Sequence, residues 1–179
     1  MREDRLLLRR LRQGDQGALR RLYEKYKDDL LTVAVCLVAD LPTAEDCLHD
    51  VFVRFAAGAA EVRLRGDLKK YLTACVANRA RDQLRKNSRR VPLSEVADTS
   101  ITRSDPQTSA INHEETARLV AALAELPYEQ RETIVLHLHG QLKFREIARQ
   151  LNLSTNTVQS RYRYGLGKLR QLLNSGERR

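Results

Sequence analysis

The chain has 179 residues, room for one ordinary domain or two small ones, and its 42% hydrophobic and 31% charged residues exclude a disordered chain. No apolar run reaches the ~18 residues of a membrane span and no signal peptide opens the chain, so a cytoplasmic protein is expected. The net charge of +9 points toward a polyanionic partner such as nucleic acid.

Apolar residues recur at spacings of three and four, and there are only 8 Gly and 4 Pro; the pattern predicts an all-α protein. A short helix is expected at 3–13. "QGDQG" breaks the chain, and Asp15 can cap a long helix over 16–39, with Leu19, Leu22, Tyr26, Leu30, Val33 and Leu37 on its apolar stripe. "DLPT" is read as its end, and Thr43 with Asp46 resembles a capping box for a third helix over 44–58. A loop follows, and Asp67 can cap a fourth helix over 68–88.

Residues 91–112, rich in Ser, Thr, Asp and Pro, lack helical periodicity and read as a flexible linker. The expected organisation is therefore two small helical domains, 1–90 and 113–179, joined by 91–112. Their net charges are +7, +4 and −2 for the tether. In the second domain helices are expected at 113–125, 128–139, 143–151 and 155–173, with Pro127 at the start of the second.

Cys36, Cys47 and Cys75 lie among apolar residues without zinc-knuckle spacing, and the 4 histidines form no HExxH-like pattern. No catalytic constellation, metal site or cofactor is expected.

"KFREIARQLNLSTNTVQSRYRYGLGKLR" carries the clearest functional pattern. Phe144, Ile147, Ala148 and Leu151 share one helical face, "NLS" is a turn, and Val158, Tyr162, Leu166 and Leu169 form the next stripe. This is the helix-turn-helix pattern, whose second helix can enter the major groove; the alternative is a helical hairpin with a solvated basic face. Thr155, Asn156, Thr157, Gln159 and Ser160 lie on its leading exposed face, followed by Arg161 and Arg163, suited to phosphate. Gly165 and Gly167 are costly inside a helix and either allow close packing or mark fraying. A second basic surface is "NRARDQLRKNSRR", where Arg81 and Arg85 share a face. "AEDCLHDVFVRF" has the opposite character: Glu45, Asp46 and Asp50 precede any base. An acidic exposed helix beside a basic one points to a protein partner on one side and DNA on the other.

The chain resembles a bacterial RNA polymerase sigma factor of the sigma-70 family, extracytoplasmic-function group. "TAEDCLHDVFVRF" is similar to the family's helix "DAEDLVQEVFLRL", which binds the polymerase β′ clamp helices. "LKKYLTACVANRARDQLRK" resembles "FRAWLYRIARNLALDALRR", which melts and reads the −10 promoter element. "LPYEQRETIVLHLHGQLKFREIARQLNLSTNTVQSR" resembles the −35-reading domain. The resemblance implies polymerase contacts from Glu45, Asp46, His49, Asp50 and Arg54. It implies −10 contacts from Arg63, Tyr71, Asn78, Arg81, Asp82 and Arg85, with the loop 59–66 capturing a flipped base. It implies −35 contacts from His137, Thr155, Asn156, Thr157, Gln159, Ser160, Arg161 and Arg163. The implied partners are core RNA polymerase through its β and β′ subunits, promoter DNA and, for many members, an anti-sigma protein. Ala56 and Tyr71 stand where the family commonly has Trp, and His137 where it has a phosphate-contacting Arg. A stand-alone DNA-binding regulator is the alternative; it accounts for 143–170 but not for the acidic helix or the 78–90 run.

Overall fold

The structure, a computed structural model, describes residues 2–61, 66–90 and 110–176. The described residues form helices in chain order: α1 (Arg2–Arg12), α2 (Gln16–Val38), α3 (Leu41–Ala57), α4 (Leu68–Arg90), α5 (Ala110–Ala124), α6 (Tyr128–Leu138), α7 (Phe144–Leu151) and α8 (Thr155–Gly176). No strand occurs among them. The expected all-α class and helix order hold; most of the linker and Arg63 lie outside the described residues.

Local chemistry sets the helix ends. Asp15 Oδ1 accepts a hydrogen bond from the Ala18 amide at 3.2 Å and starts α2. Asp67 Oδ1 does the same for the Lys69 amide at 2.8 Å, ahead of α4. The third helix differs from expectation. It starts at Leu41, because Asp40 is its cap, accepting from the Thr43 amide at 2.9 Å, and Pro42 sits in its first turn. "DLPT" thus opens α3 instead of closing α2, which ends at Ala39 in the left-handed region (φ 57°). Thr43 and Asp46 do not form the start that their spacing allowed.

α2 is the axis of the first block, packed against α1, α3 and α4. Its Leu22, Leu30, Val33 and Leu37 are buried in one apolar cluster with Leu68, Leu72 and Val76 of α4. α1 is fastened by a polar clasp: Tyr26 Oη and Lys25 Nζ donate to Asp4 Oδ1 at 2.8 and 2.7 Å. Burial alone would raise the Asp4 pKa, but the two hydrogen bonds and the Lys25 charge outweigh it and hold the carboxyl at about 2.

In the second block α8 lies across α5, α6 and α7, burying Val158, Gly165 and Leu169 against Ile134 and Ile147. The two blocks do not stand apart. α2 and α4 pack on α5 and α6, and buried residues of both blocks form one continuous apolar cluster. That docking is not visible in the helical periodicity, which registers each buried stripe but not its partner.

Candidate polymerase and nucleic-acid interfaces

α3 turns one face inward and one outward. Cys47, Leu48, Val51 and Phe52 are buried, whereas Glu45, Asp46 and His49 are exposed. Val53, 53% exposed, lies one turn beyond His49 on the same side. An acidic rim with an exposed branched hydrophobe is a surface suited to a protein partner. Asp50 is placed differently. Its carboxylate forms an ion pair with Arg79 of α4, whose side chain is largely buried. Asp50 thus joins α3 to α4, a link the sequence did not signal because the two residues are remote in the chain.

α4 divides the −10 candidates between two clefts. Tyr71, Asn78 and Asp82 fall at positions that share one face, and with Cys75 and Arg79 they line a cleft of about 410 Å³ against Arg54, Phe55 and Glu61. Tyr71 is 39% exposed, and its ring leans on Phe55 at 6.3 Å between centroids, so it offers a flat face at the rim. Arg81 and Arg85 instead line a second cleft with residues of the other block, although Arg81 Nη1 still donates to Asn78 Oδ1 at 3.3 Å.

The helix-turn-helix is formed as expected. α7 ends at Asn152 in the left-handed region (φ 54°), and Ser154 Oγ accepts from the Thr157 amide at 3.0 Å to start α8. Asn156 and Gln159 are exposed; Thr155, Thr157, Ser160 and Arg161 are half-buried. Arg163 is exposed, with its guanidinium 5.2 Å from the Tyr164 ring centroid. His137 is engaged internally. Its ring stacks on Phe144 at 4.3 Å and meets Tyr162 edge-on at 5.0 Å, and Nδ1 donates to the Leu142 carbonyl at 2.8 Å. This aromatic cluster ties α6, α7 and α8 together, so His137 helps fix the angle of α8.

The most unusual electrostatics lie between the blocks. Glu132 of α6 is 2% exposed, and its Oε1 accepts from Arg81 Nη2 of α4 and, at 3.3 Å, from Tyr128 Oη. Burial pushes the Glu132 carboxyl up, against the pull of Arg81 and of Arg161. Lys70 of α4 reaches Glu146 of α7 at 2.9 Å, and Glu146 also accepts from the Lys143 amide at 2.6 Å. Those two hydrogen bonds hold the Glu146 carboxyl below the usual range. Glu132, Lys70 and Glu146 were not foreseen as site residues: pairs more than fifty residues apart leave no local pattern.

Family models decide what this arrangement belongs to. Residues 22–90 match sigma-70 region 2, and residues 116–169 match sigma-70 region 4. The chain belongs to the sigma-70 family. Its sigma relatives include RNA polymerase sigma-H factor of Pseudomonas aeruginosa, 28% identical over 171 residues covering 89% of this chain and 88% of that protein. The extracytoplasmic-function sigma factor SigX of Bacillus subtilis is 28% identical over 156 residues, 84% of this chain and 80% of SigX. The sigma fold is also that of CnrH, solved in complex with the cytosolic domain of CnrY, with a TM-score of 0.69 at 23% identity over 97% of this chain and 98% of that one. RpoE of Bartonella quintana, solved with the anti-sigma factor NepR, superposes with a TM-score of 0.70 at 21% identity over 87% and 96%.

Among the described residues of this sigma chain no helix is long and apolar enough to cross a membrane.

Proposed function

We propose that this chain binds core RNA polymerase and directs it to promoters, taking part in −10 melting and transcription initiation without a catalytic step of its own. The observation that carries this is the presence of three separate surfaces on one chain: the acidic outer face of α3, the aromatic-rimmed cleft of α4 and the exposed leading end of α8.

Each surface has a physical task. Glu45, Asp46 and His49, with Val53, form the polymerase contact, while Asp50 serves it through Arg79. Arg54 lies between that face and the α4 cleft. Tyr71, Asn78 and Asp82 line the cleft that would receive the unpaired −10 strand, with Arg81 and Arg85 beside it. Unstacking a base costs a few kcal/mol, and stacking on Tyr71 with hydrogen bonds to Asn78 would recover part of it. Asn156 and Gln159, the most exposed leading side chains of α8, reach base edges of the −35 element. Thr155, Thr157 and Ser160 lie beside them, and Arg161 and Arg163 hold phosphate. His137 serves that contact by orienting α8. The domain limits on this reading are 1–90 and 113–179. An anti-sigma protein, of the kind seated on the Bartonella RpoE, is a further partner proposed for this chain, and its site of action is the cytoplasm.

The test is run-off transcription with core polymerase of the same organism, with and without the protein, on fragments of its genome. Discrete new transcripts are expected, and mapping their starts gives the promoters. Salt-sensitive DNA binding without new transcripts would instead favour a stand-alone regulator.

A further inference from the structure

Arg131 is a buried cation without an anion. It lies on α6, 9% exposed, and its Nε has no hydrogen-bond partner among the described residues. The guanidinium stands against the Tyr128 ring, with Cζ 5.5 Å from the centroid. None of the ion pairs among the described residues includes it. The neighbouring groups that might balance its charge are not available. Glu132 gives its Oε1 to Arg81 and to Tyr128 Oη. Burial pushes the Cys36 thiol up to about 11, so it is neutral at pH 7. Burial, and then the Glu132 charge, push the Tyr128 phenol up as well. Burial pulls the Arg131 pKa down, yet a guanidinium does not give up its proton in a protein. An unpaired buried charge is costly, so relief has to come from an added anion.

Arg131 lines a cleft of about 720 Å³ formed by α4, α6, the end of α7 with the turn after it, and α8. Arg81, Arg85 and Arg161 line it too, against the acids Glu129 and Glu132, so positive charge is in excess. Gln150, on the same cleft, holds a second orphan. Its Nε2 donates to the Ala74 carbonyl at 3.4 Å, while its Oε1 is buried without a partner among the described residues. The cleft thus offers an unpaired donor, an unpaired acceptor and a positive field, at the size of a small-ligand site (~300–1,000 Å³). A phosphoryl group suits the arginines, because its oxygens carry nearly two negative charges and accept paired hydrogen bonds. An unpaired acceptor calls for a hydroxyl or amino donor on the same ligand. Shape excludes a duplex. A stiff DNA rod presents its phosphates on a broad convex surface, which reaches exposed arginines but not one buried as Arg131 is.

We propose that this cleft binds a small phosphate monoester carrying hydroxyl or amino donors, the chemistry of a nucleoside monophosphate, with Arg131 donating to the phosphoryl group and Gln150 Oε1 accepting from the ligand. Arg85 adds its charge to the field, and Arg81 keeps its bond to Glu132. The site goes beyond promoter recognition and does not depend on it, because Arg131 and Gln150 belong to none of the three surfaces assigned to polymerase and DNA. Binding replaces an unpaired buried guanidinium by a charge-assisted pair, and no covalent bond is made or broken.

The test uses the full chain. AMP, inorganic phosphate and adenosine are titrated in turn, followed by calorimetry and by the NMR resonance of the Arg131 Nε–H group. AMP should bind and shift that resonance. Inorganic phosphate should bind about threefold or more weakly than AMP, and adenosine should not bind. Arg131→Met should weaken AMP binding about tenfold or more, as expected for the loss of a charge-assisted hydrogen bond. Without ligand it should melt no lower than wild type, because an unpaired buried charge is removed. If it fails to fold, Arg85→Glu decides, at an exposed position of α4; AMP affinity should fall about fivefold or more. Arg20→Glu changes the net charge equally at an exposed position of α2 outside the cleft, and should alter AMP affinity less than about twofold. Equal losses in Arg85→Glu and Arg20→Glu would show diffuse charge attraction and overturn the site. Adenosine binding as tightly as AMP, or an Arg131 resonance that AMP leaves in place, overturns it too. Duplex DNA shifting that resonance where AMP does not would assign the cleft to promoter contact instead.

Discussion

Gly165 and Gly167 sit two residues apart in α8, and replacing each by Ala should have opposite effects. A glycine inside a helix costs about 1 kcal/mol relative to alanine, from backbone entropy. At Gly167 nothing lies within 4 Å of where a Cβ would stand. Gly167→Ala therefore gains that amount and should raise Tm by roughly 2–4 °C for a chain of this size. At Gly165 the added carbon would lie 2.8 Å from Ile134 Cδ1 and 3.1 Å from Gln130 Cβ, both on α6. Ordinary carbon contacts sit at about 3.5–4.0 Å, so either Ile134 leaves its rotamer or α8 moves off α6. Ile134 is 2% exposed and has little free space to enter. Overpacking of this kind costs about 1–3 kcal/mol, which equals or exceeds the propensity gain. Gly165→Ala should leave Tm unchanged or lower it by several degrees, and should weaken duplex binding by tilting the reading end of α8. Thermal melts of the two variants in one buffer, with anisotropy on duplex DNA, measure both effects. A Tm raised equally by both substitutions would refute the claim that Gly165 is there for close helix contact.

The clasp on α1 gives a pH prediction. The Asp4 pKa is held at about 2, below its unfolded value, so its stabilisation is full above about pH 4 and lost as pH falls toward 2. Asp4→Asn should cost about 2 kcal/mol at pH 7, and the gap from wild type should close across that acid window in urea titrations. Asp46→Ala should abolish core polymerase binding measured by co-elution, leaving duplex binding intact; normal co-elution would remove α3 from the interface. Arg79→Leu, which frees Asp50, should weaken co-elution with core polymerase at unchanged helical content; unchanged co-elution would make the pair merely structural. Arg163→Ala should lower the salt dependence of duplex binding by about one phosphate contact, uniformly across sequences.

How much of this was legible beforehand depends on the range of each interaction. Helix existence and most caps were readable, because a stripe at 3.6 residues and an Asp ahead of it are local facts. Asp15 and Asp67 acted as their positions implied. The start of α3 was misread because both Asp40 and Thr43 can cap, and only the packed backbone selects between them. The helix-turn-helix was legible from "RQLNLSTNTV", since the turn, the cap at Ser154 and the buried Val158 all fall within one short stretch. Among the expected site residues, those defined by exposure on one helix were placed on outward faces, including Glu45, Asp46, Asn156 and Gln159. His137 and Asp50 were not separable from them in sequence. Their engagement with Phe144, Tyr162 and Arg79 depends on how helices cross.

The sequence by itself determined an all-α chain, two basic blocks around a polar connection, and motifs that resemble sigma-factor surfaces in the right order. These follow from periodicity, charge and short-range spacing, which survive in a linear string. Tertiary structure alone decided that one apolar cluster runs through both blocks, that Gly165 is a contact and Gly167 is open, and that Arg81 meets Glu132. Each joins residues remote in the chain or depends on sub-ångström clearance. The pattern of a single helix constrains which face is buried, but the partner of that face is selected by shape and charge in three dimensions.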